Sequence, residues 1–404
     1  MPHYVIIGAS HAGISFAEKM RQLGSDDPLT LIDRLSGLPL QRPPLSKAYL
    51  AADDEEAFLL RRKDWFDEQN VTLRDGVEVT KIDRERKSLQ LSDGTQQSYD
   101  RLILAQGAFA RHLPMTEMTA DGVHVLRHGD DARGLKKALE KATKAVVIGG
   151  GYIGLEAAAS LRKENLPVTV IEAADRLLAR VASPAISAYY KALHESQNVT
   201  ISTGVGVASL RAEEGHIAAV CLHDGSEISC DLLLVGIGVV PETELAEAAG
   251  IAVGNGILTD HHYQTNDEAI FAIGDNVLAE GRWPMRVESI HNAQFGGHHL
   301  ASHFTNGKPP VEEAPWFWSD QYDRKLQSAG LVPPPCDELV QIKRDGKREG
   351  SLSVWSFVGD RLACVEAVND PQAYMIGKFC LEQGRVVPKE KLEMADFDLK
   401  SLRG

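Results

Sequence analysis

The chain carries two glycine-rich hexapeptides, GASHAG at residues 8–13 and GGGYIG at residues 149–154. Each follows a short apolar run rich in β-branched residues, at residues 4–7 and 145–148, and each opens an apolar helical pattern. In such a strand–turn–helix unit, the outer glycines permit a tight bend and close helix packing. Backbone N–H groups at the start of the helix then receive the pyrophosphate of a dinucleotide. The duplication therefore predicts two dinucleotide sites on one chain.

An acidic residue completes each unit. The strand after the helix should end, about 20 residues on, in a carboxylate that binds a ribose 2′-OH. Residues 29–32 run into Asp33, and residues 168–171 run into Glu172. A single glycine motif is weak evidence, because glycine-rich turns occur wherever a chain bends. Two complete units, each with its acid, favour dinucleotide binding much more strongly.

Size and charge limit the possible functions. At 404 residues the chain is long enough for two or three domains with substantial cores. A net charge of −14 argues against general affinity for nucleic acid or an anionic membrane, because both carry the same sign. The first predicted strand begins at residue 4, so no signal peptide is expected, and the longest strongly apolar stretch, residues 232–240, is too short to span a bilayer. These features predict a cytoplasmic protein.

Cysteine and histidine patterns predict neither disulphide nor metal chemistry. The five cysteines form no CxxC motif or other tight pair, and their number is odd. His298, His299 and His303 share a predicted helix, but no HExxH carboxylate accompanies them. We therefore expect surface or packing roles for these histidines, and no metal site.

The order of the motifs predicts an α/β fold in which the second nucleotide unit is inserted into the first. We expect two Rossmann-like domains, residues 1–108 with 236–314 and residues 109–235, followed by an α+β domain at residues 315–404. An alternative, four sequential small units, leaves the first sheet without the buried strand predicted at residues 269–275. The discontinuous arrangement is therefore favoured.

Five further strings carry a resemblance to a known family. They are RPPLSKAYL (42–50), GIGVVP (236–241), AIGD (272–275), PWFWSDQY (315–322) and EAVN (366–369). With them, essentially the whole chain resembles the FAD-dependent, NADH-utilising ferredoxin reductases. The resemblance implies a glutathione reductase-like architecture with an FAD domain, an NADH domain and a C-terminal domain that covers the flavin. The chain departs from the family pattern at Leu40, Gln106 and Glu242, which affects the expected local polarity of the flavin pocket.

The resemblance also implies which residues bind the cofactors. Asp33 is expected to hold the adenosine ribose of FAD, Asp275 the ribityl chain, and Val79 the adenine through its backbone. The further residues expected to touch FAD are Ala12, Lys47, Arg127 and Ile290. NADH is expected on Gly149, Gly151, Tyr152, Ile153, Gly154 and Glu172. The remaining expected cofactor-binding positions are Gly8, Gly13, Arg42, Ala105, Gly107, Gly236, Gly238 and Gly274.

Two charged residues are the predicted catalytic groups. In the family, positions matching Lys47 and Glu156 lie beside the isoalloxazine ring. A lysine there stabilises negative charge on reduced flavin, and a carboxylate favours the nicotinamide cation. An ordinary salt bridge at a helix start is the alternative. Glu172 favours NADH over NADPH, because a carboxylate repels a 2′-phosphate, although Arg176 and Arg180 follow closely and arginine accommodates a phosphate.

The resemblance implies a [2Fe–2S] ferredoxin as electron acceptor, in the service of a cytochrome P450 or a Rieske-type oxygenase, and we expect a monomer or a weak dimer. Trp316 and Trp318 are equally interpreted as part of the docking surface or as packing of the third domain. Two alternatives remain open: an NADH oxidase or small-molecule reductase, and a redox-responsive binding protein of the apoptosis-inducing-factor type. Residues 43–46 replace the redox cysteine pair of disulphide reductases, so dithiol chemistry is not expected.

Overall fold

In the computed structural model, residues 1–305, 308–394 and 396–403 are described. The chain forms two compact units. The first comprises Met1–Arg42, Asp53–Phe109 and Val239–Val311, and the second comprises Pro43–Ala52, Ala110–Gly238 and Glu312–Gly404. The predicted α/β fold, with an α+β region at the C-terminus, is confirmed. The two units do not divide residues 109–235 from 315–404, so the three-domain boundaries stay a prediction.

The elements of the N-terminal third are short. In chain order they are β1 (Tyr4–Ile7), α1 (His11–Gln22), β2 (Leu29–Ile32), α2 (Ala48–Ala51), α3 (Lys63–Glu68), β3 (Val71–Arg74), β4 (Val79–Asp83), β5 (Ser88–Leu91), β6 (Gln96–Ser98), β7 (Arg101–Leu104), β8 (Ala108–Ala110) and β9 (Val123–His124).

The middle of the chain holds the second glycine-rich turn. Its elements are α4 (Gly129–Leu139), β10 (Ala145–Ile148), α5 (Tyr152–Lys163), β11 (Val168–Glu172), α6 (Pro184–Ser196), β12 (Val199–Thr203), β13 (Val207–Glu213), β14 (His216–Leu222), β15 (Glu227–Ser229), β16 (Leu232–Val235), β17 (Val239–Pro241), α7 (Glu244–Ala248), β18 (Val253–Gly254), β19 (Gly256–Thr259), β20 (Ile270–Ala272), β21 (Val277–Ala279) and α8 (Ile290–Thr305).

The C-terminal region is mostly strand. Its elements are β22 (Trp316–Gln321), β23 (Arg324–Gly330), β24 (Leu339–Asp345), β25 (Leu352–Val358), β26 (Arg361–Val368), α9 (Pro371–Glu382) and α10 (Lys389–Leu392). Among the described residues, none of the helices is both long enough and apolar enough to cross a bilayer.

A parallel sheet with the order β20-β7-β1-β2-β3 forms the centre of the first unit. Every residue of β1 and β2 is buried, as expected for a parallel sheet covered on both faces. Helices α1 and α8 pack closely because α8 carries Gly297. A β-carbon there would lie 2.8 Å from both the carbonyl oxygen of Ala12 and the nitrogen of Phe16.

Two large sheets belong to the second unit. The parallel sheet β12-β11-β10-β16-β9 repeats the arrangement of the first unit, with the second glycine-rich turn after β10. The antiparallel sheet β22-β23-β26-β25-β24 is formed by the C-terminal strands, and α9 packs against it. Strand β22 lies at the edge of this sheet, and its residues 317, 319 and 321 share one face because side chains alternate along a strand.

Candidate functional site

The first glycine-rich turn is shaped by close backbone contacts. Gly8 has a φ of +110°, and a β-carbon there would lie 2.4 Å from the carbonyl oxygen of Ala105. A β-carbon at Gly13 would lie 2.1 Å from the carbonyl oxygen of Gly8. Contacts this short exclude any side chain at either position. The turn therefore places the backbone of residues 8–13 between the ends of β1 and β7, at the start of α1.

Asp33 is tied to this turn. Its Oδ2 accepts a hydrogen bond from the Ala9 nitrogen at 2.7 Å, and its Oδ1 accepts one from the Leu35 nitrogen at 2.9 Å. The carboxylate is therefore fixed at the carboxyl end of β2, beside the amino end of α1. Ser10, the residue before α1, makes no side-chain capping hydrogen bond to the helix. A helix start of this kind is suited to an anion.

The first unit brings Gly274 and Arg42 to the same turn and also contains several other predicted residues. Gly274, with a φ of +93°, follows β20, and a β-carbon there would lie 3.1 Å from the β-carbon of Ala12. The guanidinium Nε of Arg42 donates to the Ser10 hydroxyl at 3.3 Å. The Gly107 carbonyl accepts from the Glu242 nitrogen at 2.9 Å. Asp275 follows Gly274, while Val79 begins β4 and Ile290 begins α8.

One buried acceptor near the first turn lacks a partner. The Oε1 atom of Gln106 is buried and has no hydrogen-bond partner in the part of the chain that the structure describes. The backbone nitrogen of Gln106 lies 3.1 Å from where a β-carbon of Gly8 would stand. Buried polar groups are almost always paired in folded proteins. The unpaired Gln106 oxygen fits a bound dinucleotide that donates a hydrogen bond to it. The lack of side chains at Gly8 and Gly13 fits the close approach of such a dinucleotide to the backbone.

Glu242, in the first unit, is a largely buried carboxylate paired with an arginine. Burial raises the pKa of Glu242 to about 7, against the opposing effect of Arg34, whose guanidinium donates to its carboxylate at 2.6 Å. The same guanidinium lies 4.5 Å over the ring centre of Phe109. Because Arg34 directly follows Asp33, this departure from the family pattern lies one residue from the predicted ribose-binding acid.

The second turn repeats the geometry of the first. Gly149 has a φ of +109°, and a β-carbon there would lie 2.3 Å from the carbonyl oxygen of Gly236. A β-carbon at Gly154 would lie 2.1 Å from the carbonyl oxygen of Gly149. At Gly151, by contrast, no heavy atom of the described residues other than Gly151 and its two chain neighbours lies within 4 Å of such a β-carbon. The open space at Gly151 lies at the start of α5, where a nucleotide phosphate would approach.

Glu172 is held as Asp33 is. Its Oε2 accepts from the Gly150 nitrogen at 2.7 Å, and its Oε1 accepts from the Ala174 nitrogen at 2.8 Å. The guanidinium of Arg176 donates to the carbonyls of Ala179 and Ala182, both at 3.0 Å, so it binds its own loop. Arg180 lies beside Gly238, with Nη2 3.1 Å from the position of a β-carbon there.

Two predicted residues at the start of α5 face different surroundings. The Tyr152 ring stacks on Phe317 of β22 with ring centres 4.4 Å apart, whereas Ile153 is 39 % exposed.

Arg127 lies in the second unit just before α4, and its backbone nitrogen donates to Asp131 at 2.8 Å. Among the predicted FAD-binding residues, Lys47 and Arg127 thus belong to the second unit, whereas the others belong to the first.

Lys47 and Glu156 form an ion pair in the second unit. The ammonium of Lys47 lies 2.9 Å from Oε2 of Glu156, and the two side chains are 19 % and 5 % exposed. Ser46 donates to the same oxygen at 2.6 Å, and Ser319 donates to Oε1 at 2.6 Å. Lys47 also donates to the Pro43 carbonyl at 3.2 Å. Both carboxylate oxygens are therefore paired, as a buried charge requires.

Four polar residues of the second unit were not predicted as functional residues from the sequence. Ser46 and Ser319 lie inside the family strings RPPLSKAYL and PWFWSDQY, so a signal for them existed. Glu366, in the string EAVN, accepts hydrogen bonds from the Ser183 nitrogen at the start of α6. His194 lies in no string and carries no comparable signal. Within the described residues, no group of three or more His, Cys, Asp and Glu side chains is arranged to hold a metal ion.

Known protein families and relatives match nearly the whole chain. The family described as pyridine nucleotide-disulphide oxidoreductase matches residues 2–297, and the family described as reductase C-terminal matches residues 316–403. Rhodocoxin reductase of Rhodococcus erythropolis is 40 % identical over 98 % of this chain and 93 % of its own length.

Solved structures give the same result. A ferredoxin reductase from Rhodopseudomonas palustris has a TM-score of 0.95 and 36 % identity, with 100 % of both chains covered. Putidaredoxin reductase, solved in a covalent complex with putidaredoxin, also has a TM-score of 0.95 and 36 % identity, with 100 % of this chain and 98 % of that chain covered. These matches confirm the resemblance found in the sequence.

Proposed function

Because the chain belongs to the pyridine nucleotide-disulphide oxidoreductase family, we propose that it is an NADH-dependent ferredoxin reductase. Members of this family use FAD and NAD(H). In the proposed reaction one NADH gives up a hydride, two [2Fe–2S] ferredoxins each receive one electron, and one proton is released. The observation that carries the proposal is that each unit contains a complete dinucleotide loop with its fixed acid.

We assign FAD to the loop of the first unit. FAD supplies the chemistry that couples the two substrates, because it accepts an electron pair and releases electrons singly. Gly8 and Gly13 keep the backbone free of side chains for the pyrophosphate, and Asp33 accepts from the adenosine ribose. Asp275 is proposed for the ribityl chain, and Val79 for the adenine. The other proposed contacts are Ala12, Arg42, Lys47, Ala105, Gly107, Arg127, Gly274 and Ile290.

NADH is assigned to the loop of the second unit. Gly151 leaves room for the phosphates, and the Glu172 carboxylate accepts from the ribose hydroxyls while repelling a 2′-phosphate. Arg176 binds carbonyls of its own loop, which weakens the case for phosphate recognition by that residue. The other proposed contacts are Gly149, Tyr152, Ile153, Gly154, Gly236 and Gly238. We therefore propose NADH, rather than NADPH, as the donor.

Lys47 and Glu156 are the proposed catalytic groups. The ammonium stabilises negative charge that arrives with the hydride, and the carboxylate stabilises the positive charge left on the nicotinamide. Ser46 and Ser319 hold the carboxylate from two sides, so it does not have to reorient during the transfer. The pair connects the segment before α2 with α5, so it is not a local pair within one helix.

The proposed electron acceptor is a [2Fe–2S] ferredoxin that supplies a cytochrome P450 or a Rieske-type oxygenase. The names of two similar proteins support it: one is called rhodocoxin reductase, and putidaredoxin reductase was solved in a complex with putidaredoxin. Trp316 and Trp318 lie on the edge strand β22 with ring centres 5.6 Å apart, and both are partly exposed. We propose them as docking area, in a monomer or weak dimer located in the cytoplasm.

The first experiment is the visible absorption spectrum of the purified protein, before and after anaerobic addition of NADH. The expected result is a flavin spectrum that bleaches with NADH. A protein that is colourless after isolation, and also after incubation with FAD, would contradict the proposal.

The second experiment measures cytochrome c reduction by the protein and NADH, with and without purified putidaredoxin. Strong dependence on putidaredoxin supports ferredoxin reduction. Rapid oxygen consumption without putidaredoxin would instead support an oxidase. Negligible turnover, together with an oligomer change on NADH addition, would support a redox-responsive binding protein. A Trp316→Ala/Trp318→Ala variant that folds and reduces putidaredoxin normally would remove both tryptophans from the docking surface.

A further inference from the structure

Glu156 is the end of a chain of hydrogen bonds that runs through the interior of the second unit. The Ser319 hydroxyl donates to Oε1 of Glu156 at 2.6 Å. The side-chain nitrogen of Gln321 donates to the Ser319 oxygen at 3.0 Å. Ser319 and Gln321 lie two positions apart on β22, so both point to the same face of the sheet. Glu156 lies on α5 at that face, four residues after Tyr152, which stacks on Phe317.

His194 and Tyr322 extend the chain beyond Gln321. The ring Nε2 of His194, on α6, lies 2.8 Å from Oε1 of Gln321. An amide oxygen only accepts, so Nε2 carries the proton and donates. The other ring nitrogen, Nδ1, is then an acceptor, and the Tyr322 hydroxyl lies 3.3 Å from it. Burial lowers the pKa of His194, which agrees with a neutral ring.

Every donor in this series of hydrogen bonds donates in the direction of Glu156. Tyr322 donates to His194, His194 to Gln321, Gln321 to Ser319, and Ser319 to Glu156. Turning the Gln321 amide over would place its oxygen against Ser319, whose single proton would then have two acceptors to choose between. Donation toward Glu156 is therefore the direction in which every hydrogen bond of the series forms and Glu156 keeps its donor, Ser319.

Water does not compete for these groups. Glu156, Ser319, Gln321 and His194 are between 0 % and 4 % exposed. Hydrogen bonds in such surroundings are stronger than in water, and a partner removed is not replaced by solvent. The orientation of the last donor, Ser319, therefore depends on residues that do not themselves contact Glu156.

We infer that Gln321 and His194 are positioning residues for hydride transfer, which act through Ser319 to hold the Glu156 carboxylate in one orientation beside Lys47. The inference rests on the proposed function, because it assigns Glu156 to the nicotinamide. Gln321 fixes the Ser319 proton on Glu156, and His194 fixes the Gln321 amide. Tyr322 fixes the tautomer of His194.

A matched pair of variants tests the inference. Gln321→Met removes the hydrogen bond that Gln321 donates to Ser319 and the one that it accepts from His194, and it keeps the side-chain length. The control is Gln341→Met: Gln341 also donates to a serine hydroxyl, that of Ser356, at 3.0 Å in the same sheet, away from Glu156. Anaerobic stopped-flow mixing with NADH gives the limiting rate of flavin reduction and the NADH concentration at half that rate. Gln321→Met should lower the limiting rate about tenfold and change the half-saturating concentration less than about twofold.

A second readout is independent of turnover. Nitrogen-15 spectra of the histidine rings in the oxidised holoenzyme report which ring nitrogen carries the proton, and the signal missing from His194→Asn identifies His194. The expected result is the Nε2–H form in the wild type and in Gln341→Met, and a loss of that single form in Gln321→Met. This measurement holds for any folded variant, whatever its rate.

Five outcomes decide between the possibilities. A tenfold slower Gln321→Met with a normal control and the Nε2–H form in the wild type supports the inference. Gln321→Met with a wild-type reduction rate overturns it, as does a proton on Nδ1 of His194 in the wild type. Equal slowing of both variants would mean a general loss of packing and would also overturn it. A wild-type flavin that NADH does not reduce contradicts the proposed function instead, and the ring spectra still test the hydrogen-bond chain.

Discussion

The carboxylate of Glu366 receives the backbone N–H of Ser183 between its two oxygens, at 3.0 and 3.2 Å. Both residues are buried, with exposures of 1 % and 0 %. Ser183 precedes α6 and ends the loop that follows Glu172, so the C-terminal strand β26 anchors the end of the loop that carries Arg176 and Arg180. Burial raises the pKa of Glu366 to about 7, although the Ser183 N–H and Arg176 oppose the shift.

Glu366 is predicted to make stability depend on pH. Its folded-state pKa, about 7, lies above its ordinary value of 4.5. The native state therefore holds this proton more tightly than the unfolded chain, and its stability falls as pH rises from about 4.5 to about 7, then levels off. At about 1.4 kcal/mol per pH unit, the total is about 3 kcal/mol. Glu366→Gln removes this dependence.

The measurement is the thermal-unfolding midpoint at pH 5, 6, 7 and 8. The wild-type midpoint minus the Glu366→Gln midpoint should decrease steadily up to pH 7. Glu390→Gln, at an exposed glutamate on α10, serves as control and should run parallel to the wild type. If the Glu366→Gln curve is also parallel, Glu366 does not titrate in this range.

Lys47→Met is expected to slow flavin reduction by NADH about tenfold or more, because it removes the positive charge next to Glu156 and leaves the buried carboxylate without its counter-ion. Stopped-flow absorbance measures the effect. Lys191→Met is the matched control, since Lys191 pairs with Glu195 on the exposed surface of α6, where such pairs contribute little. A wild-type rate in Lys47→Met would remove this lysine from the proposed catalytic groups.

Two glycines of the second turn are expected to respond differently to alanine. At Gly154 the added methyl group would meet the Gly149 carbonyl at 2.1 Å, so Gly154→Ala should destabilise the protein by roughly 1–3 kcal/mol and weaken NADH binding. At Gly151 the added methyl group would have no heavy atom within 4 Å among the described residues beyond its chain neighbours, so Gly151→Ala should leave the unfolding midpoint unchanged. It should still weaken NADH binding, because the methyl group occupies the space proposed for phosphate.

Calorimetric titration with NAD⁺ and thermal unfolding separate the two effects. Unchanged affinity in a stable Gly151→Ala variant would show that the phosphates do not pass this position. FAD content should stay at the wild-type level in both variants.

Glu172 is expected to set the nucleotide preference. Its two oxygens accept from Gly150 and Ala174, so the carboxylate has a fixed position at the turn. Catalytic efficiency should be higher with NADH than with NADPH, and Glu172→Gln should reduce the ratio by roughly tenfold as the repulsion of a 2′-phosphate is lost. The ratio of kcat/KM for the two nucleotides is the measurement. Equal efficiencies in the wild type would contradict the assignment.

The two dinucleotide loops could be predicted from the sequence because all their determinants are local. Glycines, flanking apolar runs and the following acid lie within about 30 residues, and the structure places Asp33 and Glu172 against their own turns. Strands in the C-terminal region were also expected, as part of the α+β domain predicted at residues 315–404. Their order, with β26 between β23 and β25, was not, since no local pattern specifies pairing between distant strands.

The hydrogen-bond donors to the Glu156 carboxylate could not be predicted from the sequence for the same reason. Its two serine donors are 110 and 163 residues away in the chain. The resemblance identified the charged pair, but it did not show that Ser319 connects Glu156 to His194. Nor did it show that residues 43–52 group with the second unit, because composition does not record which sheet a short segment joins.

The close approach of α8 to α1 has a consequence for biosynthesis. Gly297 packs against Ala12 and Phe16, and β20 completes the sheet that begins with β1. A growing polypeptide therefore has to be translated to about residue 300 before its N-terminal sheet and flanking helices are all present. The strands of the other parallel sheet, residues 123–235, leave the ribosome earlier. The parallel sheet beside the first nucleotide loop is thus completed after the parallel sheet beside the second.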